Sequence, residues 1–464
     1  MRGISRLTPR RARHRLPGAD PGDWMANTDH ASNQNMSAGA VTSASSPRYA
    51  LAMLTIIYSL NFLDRTVITI LIDPIKRDYH LSDKAMGFIS GFGFVIMYSI
   101  LAAPVARWAD RGNRRSILTW GLVLWSGMTA LAGVARNALQ LTLARFGVGI
   151  GEAAGTAPSA SMISDLFPGY QRATAMSVYQ LGPVFGGFLG AFIGGWINQY
   201  YGWHRAFLVA GLPGLAVALL FRLTVNEPVR GRSERQKVDT RQQSVRETLR
   251  FMIGQKCYVL LLLGFCLTTF TQFGFGTWTA PFLGRIRHLN SAQIGTYLGT
   301  VRGVAGLVGT LVGGYLSDWA GRKDPRWRIY VSAICSMIAG PAVLVFLFSP
   351  SLPISAAGFF LISAMSPVHV GPIVSVSHSV VKVGMRAFST SVLYLISELI
   401  GLGLGPFFIG AFNDRFASRL GVDAIRYSMA TAAVTTILGG MLFIVAAQFL
   451  KRDVARTLAE QSSI

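Results

Sequence analysis

The sequence has few charged residues and few cysteines. Of its 464 residues, 14% are Asp, Glu, Lys or Arg, against about 25% in an ordinary globular protein. A soluble fold of this length needs a larger charged surface, so the composition excludes most soluble proteins. The three cysteines, Cys257, Cys266 and Cys335, lie in apolar runs. They predict small buried thiols and no disulfide framework.

Long apolar runs make up most of the chain, of which 51% is hydrophobic. As a helix rising about 1.5 Å per residue, each run is long enough to cross a hydrocarbon core of about 30 Å. Helices also satisfy their own backbone groups there without water. The sequence therefore predicts an all-α membrane protein with twelve transmembrane helices, kinked at Pro183 in span 5 and at Pro367 and Pro372 in span 10. The predicted spans 1 to 12 are residues 50–72, 86–106, 116–135, 138–162, 174–198, 206–225, 256–283, 293–316, 328–348, 354–377, 388–412 and 426–449.

Basic residues outnumber acidic residues by 43 to 21 and are unevenly distributed. Ten of them fall in the predicted outer loops, and most of the others fall on the opposite side. The positive-inside rule then places both termini in the cytoplasm. We expect a multi-pass protein of the inner (plasma) membrane whose positive charge faces anionic membrane lipids, and no nucleic-acid partner.

The chain divides into two related halves. The sequence Asp-Arg-Gly-Asn-Arg-Arg at 110–115 follows span 2, and Asp-Trp-Ala-Gly-Arg-Lys at 318–323 follows span 8. Duplicated six-helix halves are typical of transporters that rock one bundle against the other around a central site, so we predict two pseudo-symmetric bundles. The expected parts are a disordered basic tail without the apolar core of a secretory signal (1–48), an N-terminal bundle (49–225), a cytoplasmic linker (226–255), a C-terminal bundle (256–450) and a cytoplasmic C-terminal tail (451–464).

The charged loops after spans 2 and 8 are candidate gates. An acid embedded among bases can latch to the other bundle or to a helix end in one conformation and release it in the other. The alternative is that the bases serve only as positive-inside anchors. The predicted gating residues are Asp110, Arg111, Arg114 and Arg115 in the first half, and Asp318, Arg322 and Lys323 in the second.

A few ionisable residues fall inside the predicted spans. Each costs at least about 2.5 kcal/mol at mid-bilayer, which makes it a functional candidate. Asp64 and Arg145 both lie about 10 Å below the outer edge, and Glu152 follows Arg145 by two turns on the same helical face. These three side chains could therefore form one chain of alternating charge.

A buried chain of this kind suits proton coupling. A desolvated carboxylate takes up a proton readily, and a neighbouring guanidinium opposes that uptake. An arginine that moves between a carboxylate and a substrate anion would link the two events. We predict Asp64 and Glu152 as proton-coupling residues. The alternative is a static ion pair that holds spans 1 and 4 together.

Other polar residues of the spans are candidates for substrate binding. Arg65 lies about 100° around the helix from Asp64 and can face a different partner. Arg302 and Glu398 fall near mid-depth, where they either line the cavity or pair with each other. His369 is expected to be a hydrogen-bonded core residue. The predicted substrate-binding residues are Arg65, Arg145, Gln272, Arg302 and Glu398, with an aromatic lining of Phe94, Tyr98, Phe270, Phe273, Phe275 and Trp278.

Glycines recur every three or four residues in spans 5 and 8, where they allow close helix packing. We predict that the two glycine faces meet at the boundary between the bundles. They are formed by Gly182, Gly186, Gly190 and Gly194 in span 5, and by Gly295, Gly299, Gly303, Gly306, Gly309 and Gly313 in span 8.

Several of these motifs together resemble a known family, the major facilitator superfamily, and within it the spinster-like members. They are Asn-Phe-Leu-Asp-Arg at 61–65, the loop at 110–115, Arg-Phe-Gly-Val-Gly-Ile-Gly-Glu-Ala at 145–153, Ser-Asp-Leu-Phe-Pro at 164–168 and Gly-Trp at 202–203. The resemblance implies a two-bundle fold that is usually monomeric, and proton and substrate roles for Asp64, Arg145 and Glu152. It also implies an association with lysolipids and sphingolipid phosphates.

The sequence predicts a secondary active transporter that moves a small organic or amphiphilic anionic solute by proton-coupled alternating access. A lysolipid or sphingolipid-type exporter is one alternative, and an uncoupled membrane receptor or channel is another. An enzyme is not expected, because the sequence offers neither a nucleophile with its base nor a His/Asp metal cluster. No catalytic residue, metal site or cofactor is predicted, and the expected partners are the solute, protons and membrane lipids.

Overall fold

The computed structural model describes residues 45–230 and 244–462. The described residues form helices joined by short turns, and none of them forms a strand. Nearly all of the predicted tail 1–48 lies outside these ranges, as do residues 231–243 of the predicted linker and the last two residues of the chain.

The first six spans follow one another with short connections. Polar caps fix the starts of spans 2, 3 and 4: Ser82, Asn113 and Asn137 each accept a hydrogen bond from the backbone amide three residues ahead. Spans 1 to 6 are Pro47–Ile70, followed by a short helix Ile72–Asp78; Asp83–Gly87 with Phe88–Phe92 and Gly93–Arg111; Arg114–Ala132; Ala138–Glu152 with Thr156–Leu166; Gly169–Tyr179 with Gly182–Tyr201; and Trp203–Thr224.

The second half repeats this pattern after a short helix, Val245–Gly254, which we call the linker helix. Span 12 continues without a break into the predicted C-terminal tail. Spans 7 to 12 are Lys256–Phe270 with Thr271–Phe275 and Gly276–Arg287; Ser291–Gly321; Arg326–Phe348; Leu352–Met365 with Ser366–His369 and Val370–Ser379; Val383–Met385 with Arg386–Glu398, Leu399–Leu404 and Gly405–Leu420; and Ala424–Ser462.

Eight helical stretches of the described chain are long and apolar enough to cross a membrane. One of them, Val383–Glu460, contains both span 11 and span 12, which separate at Gly421, where φ is +56°. Spans 3 and 8 are helical but less apolar, because arginines or glycines interrupt their hydrophobic sequence, and span 4 is divided at residues 153–155 into two shorter helices. The predicted all-α architecture of twelve spans is confirmed.

Alternate spans run in opposite directions and define two ends of the molecule. We call the end that holds residues 110–115, 225–230 and 318–328 the linker end, and the end that holds residues 71–82 and 285–290 the far end. Spans 2, 7 and 11 each contain one π-helical turn, at 88–92, 271–275 and 399–404. Such turns widen a helix and are frequent at functional sites.

The two halves contact each other along spans 2 and 11 and along spans 5 and 8. A Cβ atom added to Gly195 would lie 2.8 Å from the Cα of Gly295, so the two backbones are in direct contact there. Spans 5 and 8 therefore meet through Gly195, which is not part of the predicted stripe, and the prediction that the two glycine faces meet is wrong. The predicted glycine stripe of span 5 packs on span 1 instead, where Gly190 faces Thr66.

Candidate functional site

An ion pair between spans 1 and 4 forms the centre of the site. Arg65 donates a hydrogen bond from Nε to Oε2 of Glu152 over 2.8 Å. The Glu152 side chain is fully buried and that of Arg65 is nearly so. A buried charge is tolerated when it is paired in this way, because the partner offsets part of the lost hydration.

Asp64 and Arg145 lie beside this pair and are also buried. Both interact electrostatically with Glu152 and with each other. Within the described residues, however, neither forms an ion pair, and Asp64 Oδ1 and Arg145 Nε and Nη1 have no hydrogen-bond partner. Buried polar groups are nearly always hydrogen-bonded, so these unpartnered atoms are exceptions that need an explanation.

The structure brings the three predicted residues together but corrects their pairing. Seven residues separate Arg145 from Glu152, a rise of about 10 Å along the helix. Arg145 does not pair with Glu152 for that reason, and Arg65 from span 1 takes the place beside the carboxylate. Arg65, which could have faced a different partner, therefore belongs to the same cluster.

Aromatic rings hold the two guanidinium groups in place. The ring of Phe94 in span 2 lies close to both Arg65 and Arg145, with 4.6 and 5.6 Å from its centroid to the two Cζ atoms. Phe62 and Tyr98 each lie 5.3 Å from the Cζ of Arg65. Ring faces attract cations, so these aromatics keep the arginines oriented away from bulk water.

Glu398 extends the site into the second half of the molecule. This half-buried residue directly precedes the π-helical turn of span 11. It interacts electrostatically with Arg65 and Glu152. Of the predicted substrate-binding residues in the second half, it is the one that the structure brings to the Arg65–Glu152 pair.

Arg302 and Gln272 stand apart from that cluster. The guanidinium of Arg302 occupies the space that a Cβ atom on Gly276 would need, and no ion pair joins it to Glu398. Gln272 is half-buried within the π-helical turn of span 7, and its side chain makes no hydrogen bond within the described chain. Both side chains remain predicted substrate-binding residues.

Two of the predicted lining aromatics are core residues instead. Phe275 is buried and packs on Phe346. Trp278 is also buried and donates its indole N–H to the backbone oxygen of Pro406 over 2.9 Å. His369 is buried as expected and shares a hydrogen bond with Thr268 Oγ1 over 3.2 Å.

At the linker end, Arg114 is the most strongly bound of the predicted gating residues. Its buried guanidinium contacts Asp165 over 2.5 Å and Glu227 over 2.8 Å. The same group donates to Ser161 over 2.9 Å. These partners lie in span 4 and after span 6, so Arg114 ties together parts of the first half only.

The segment 225–230 lies across the loop between spans 2 and 3. Arg115 donates its amide to Glu227 over 2.7 Å and a guanidinium N–H to the carbonyl of Val225 over 3.0 Å. Arg230 donates to the carbonyls of Ala109, Asp110 and Gly112. This cap satisfies the carbonyls at the end of span 2, a role that helix C-termini commonly assign to arginine.

The remaining predicted gating residues are exposed. Within the described ranges Asp110, Arg111 and Asp318 form no ion pair, nor does Arg322, and Lys323 lies over the ring of Trp319. In the loop after span 8, the acid that forms polar contacts is Asp324. The backbone N–H of Arg326 and the ammonium group of Lys451 hold the pKa of Asp324 below its usual value.

The far end contains a charge cluster that the sequence analysis missed. Arg285 at the end of span 7 contacts Asp73 over 2.5 Å and Asp83 over 2.6 Å. Lys76 also contacts Asp83, over 2.5 Å. Arg285 belongs to the second half and both acids to the first, so this cluster, the far-end latch, joins the two halves.

Further hydrogen bonds join the halves around the far-end latch. Asp414 of span 11 accepts from the amides of Asp83 and Lys84 over 3.0 and 2.8 Å. Asn198 of span 5 donates to Ser291 at the start of span 8 over 2.8 Å. A cavity of about 530 Å³ lies between these contacts and is lined in part by Asp73, Arg285 and Ser291.

This chain is similar to known proteins both in sequence and in structure. The sequence pattern of the Major Facilitator Superfamily matches residues 54–406. An MFS-type efflux pump of Mycolicibacterium smegmatis is 27% identical over 87% of this chain and 94% of its own length. The sphingosine-1-phosphate transporter SPNS2 of Danio rerio is 26% identical over 88% of this chain and 85% of its own.

The structural comparison agrees with the sequence comparison. A bacterial homologue of the human lysosomal transporter Spinster, in an inward-facing and unoccupied conformation, superposes with a TM-score of 0.78. It is 29% identical, and the match covers 88% of this chain and 98% of that chain. The chain therefore belongs to the major facilitator superfamily, in which it is a spinster-like membrane transporter and not an enzyme.

Proposed function

We propose that this protein is a proton-coupled secondary transporter of a small organic or amphiphilic anion. One observation carries the proposal: the buried acid Asp64 lies beside Arg145 with no hydrogen-bond partner on Oδ1, next to the paired Glu152. An acid in this position can gain or lose a proton without breaking an existing ion pair. The site therefore contains one exchangeable acid and one acid already neutralised by Arg65.

Arg145 is the group that connects the proton to the substrate. While Asp64 is ionised, the guanidinium of Arg145 is attracted to it, and when Asp64 is protonated that attraction disappears. Arg145 is then available to bind an anionic group of the substrate through its planar set of donors. Glu398 approaches the same cluster from the second half. A movement of one half against the other therefore changes the electrostatic potential at Asp64 and Glu152.

The conformational part of the cycle is a rocking of two bundles, 49–225 and 256–450. At the far end, the ion pairs of Arg285 with Asp73 and Asp83 join the two halves, as do the hydrogen bonds of Asp414 and Asn198. At the linker end, Asp110 and Arg111 are exposed. We therefore assign the conformation as inward-facing, with the linker end and both termini in the cytoplasm and the far end closed.

A lysolipid or sphingolipid phosphate is the favoured alternative to a small organic acid. The half-exposed rings of Tyr98, Phe270 and Phe273 would contact an alkyl chain, while Arg145 would bind the phosphate. The relationship to a sphingosine-1-phosphate transporter supports the same substrate class. An uncoupled receptor or channel is disfavoured, because neither needs a latch that joins two bundles.

Two measurements test this function. Thermal stabilisation of the purified protein by a panel of lysophospholipids, against a panel of carboxylates, identifies the substrate class. Uptake of the stabilising compound into liposomes is then measured with and without an imposed pH gradient. We expect the gradient to raise uptake in the wild type and to have no effect on Asp64→Asn. Equal uptake with and without the gradient in the wild type would contradict proton coupling.

A further inference from the structure

The linker helix, Val245–Gly254, presents three distinct faces. Thr248, Phe251 and Met252 are buried against the second half. Val245, Leu249 and Ile253 recur every four residues and form a second face. This apolar face is not covered by the protein: its side chains are 57%, 41% and 65% exposed.

A basic edge runs beside the exposed apolar face. Arg246 and Arg250 are four residues apart, both are exposed, and neither forms an ion pair within the described residues. At 100° per residue, Arg250 lies about 60° around the helix from Ile253. An apolar stripe bordered by arginines is the pattern of a helix that lies in a membrane interface, with the guanidinium groups extended toward the headgroups.

The buried face of the linker helix is fixed to the end of span 12. Arg456 donates to the carbonyl of Gly254 over 3.2 Å, and Asp453 accepts from the amide of Cys257, three residues beyond the linker helix in span 7, over 2.7 Å. Lys382 lies 5.1 Å from the ring centroid of Phe251. The orientation of the linker helix is thereby set by the transmembrane bundle, and its apolar face is held outward at the level where span 7 begins.

We infer that the linker helix is a binding surface for anionic phospholipids of the leaflet at the linker end. Val245, Leu249 and Ile253 insert among the upper acyl chains, and Arg246 and Arg250 bind the lipid phosphates. The charge of the edge selects anionic over zwitterionic lipid, since each arginine near an anionic surface favours binding about fivefold. This inference is independent of the transported solute and of proton coupling.

A fluorescent reporter on the apolar face tests the inference in the full-length protein. Ile253→Cys is labelled with a polarity-sensitive dye, and the protein is placed in liposomes of phosphatidylcholine with or without phosphatidylglycerol. The native cysteines are buried, so the unsubstituted protein gives the labelling background. Quenching is measured with nitroxide lipids and, separately, with aqueous iodide. Leu249→Cys provides a second reporter position.

We expect nitroxide lipids to quench the dye, more strongly when phosphatidylglycerol is present. Arg246→Gln with Arg250→Gln should remove that dependence and lower the bound-to-free ratio about fivefold for each arginine. The matched control is Arg415→Gln with Arg419→Gln, which removes two exposed arginines with the same spacing at the far end and should have no effect. Quenching by iodide alone, equal quenching in both lipid compositions, or quenching that depends on the protein-to-lipid ratio, as for a second copy covering the face, would overturn the inference.

Discussion

Arg65 and Asp64 are adjacent in the sequence, but Arg65 forms an ion pair with the buried carboxylate of Glu152 over 2.8 Å, whereas Asp64 forms no ion pair in the described chain. The two acids of the site consequently have different environments. Glu152 is held by a guanidinium, whereas Asp64 has no such ion pair, although each acid has one oxygen without a hydrogen-bond partner in the described chain. Because of this difference, the effect of each acid on stability can be distinguished from its effect on transport.

Replacing the two acids should therefore affect stability unequally. Glu152→Gln leaves the guanidinium of Arg65 buried without its ion pair and should lower the free energy of unfolding by about 3 to 5 kcal/mol. Asp64→Asn breaks no ion pair and should lower it by less, about 1 kcal/mol. Thermal unfolding of the purified variants measures both effects. Equal destabilisation by the two substitutions would show that Asp64 is also held in a structural pair.

The loop after span 2 should show a similar contrast. Arg114→Gln removes contacts with Asp165 and Glu227 from a buried position and should destabilise the protein by about 3 kcal/mol. Arg111→Gln is the control, because Arg111 is exposed and forms no ion pair in the described ranges; it should change stability by about 0.5 kcal/mol or less. A neutral Arg114→Gln variant would mean that these contacts contribute nothing to the folded state.

Removing the far-end latch should open the far end. Arg285→Gln breaks the ion pairs that cross between the halves, whereas Lys76→Gln breaks one within the first half. Ala280→Cys, buried beside the far-end cavity, reports opening through its reaction with a membrane-impermeant maleimide. We expect Arg285→Gln to raise the labelling rate severalfold and Lys76→Gln to leave it nearly unchanged. Equal rates in both variants would exclude a gating role for Arg285.

Close backbone packing should be as important as charge for closing the far end. A methyl group on Gly195 would meet the backbone of Gly295 and Ser291, so Gly195→Ala should hold the two halves apart. Gly187→Ala is the matched control in the same span, because its nearest neighbour would be 3.9 Å away. Labelling of Ala280→Cys should rise in the first variant only. Unchanged labelling in Gly195→Ala would contradict the close contact.

The twelve spans and the grouping of Asp64, Arg145 and Glu152 could be predicted from the sequence. Apolar length determines which segments cross a membrane, and helical rise determines the depth of each side chain. The pairing of Arg65 with Glu152 could not be predicted. It depends on the rotation of span 1 against span 4, which the contact of Phe94 with both Arg65 and Arg145 helps to fix.

The far-end latch was missed for a different reason. Arg285 and Asp73 are separated by 212 positions in the chain and lie at helix ends in different halves. Their meeting depends on how two bundles dock, which no local pattern encodes. The signal that was available is the pair of acids at 73 and 83 on a side of the membrane that also carries arginines.

Comparison of exchange with accumulation tests the central claim about Asp64 most directly. Liposomes containing Asp64→Asn or the wild type are loaded with substrate, and equilibrium exchange is measured beside accumulation driven by a pH gradient. We predict that Asp64→Asn retains exchange, because the two bundles still rock around a substrate bound by Arg145, and loses accumulation. Gradient-driven accumulation by Asp64→Asn at the wild-type level would contradict the proposal that this carboxylate carries the proton.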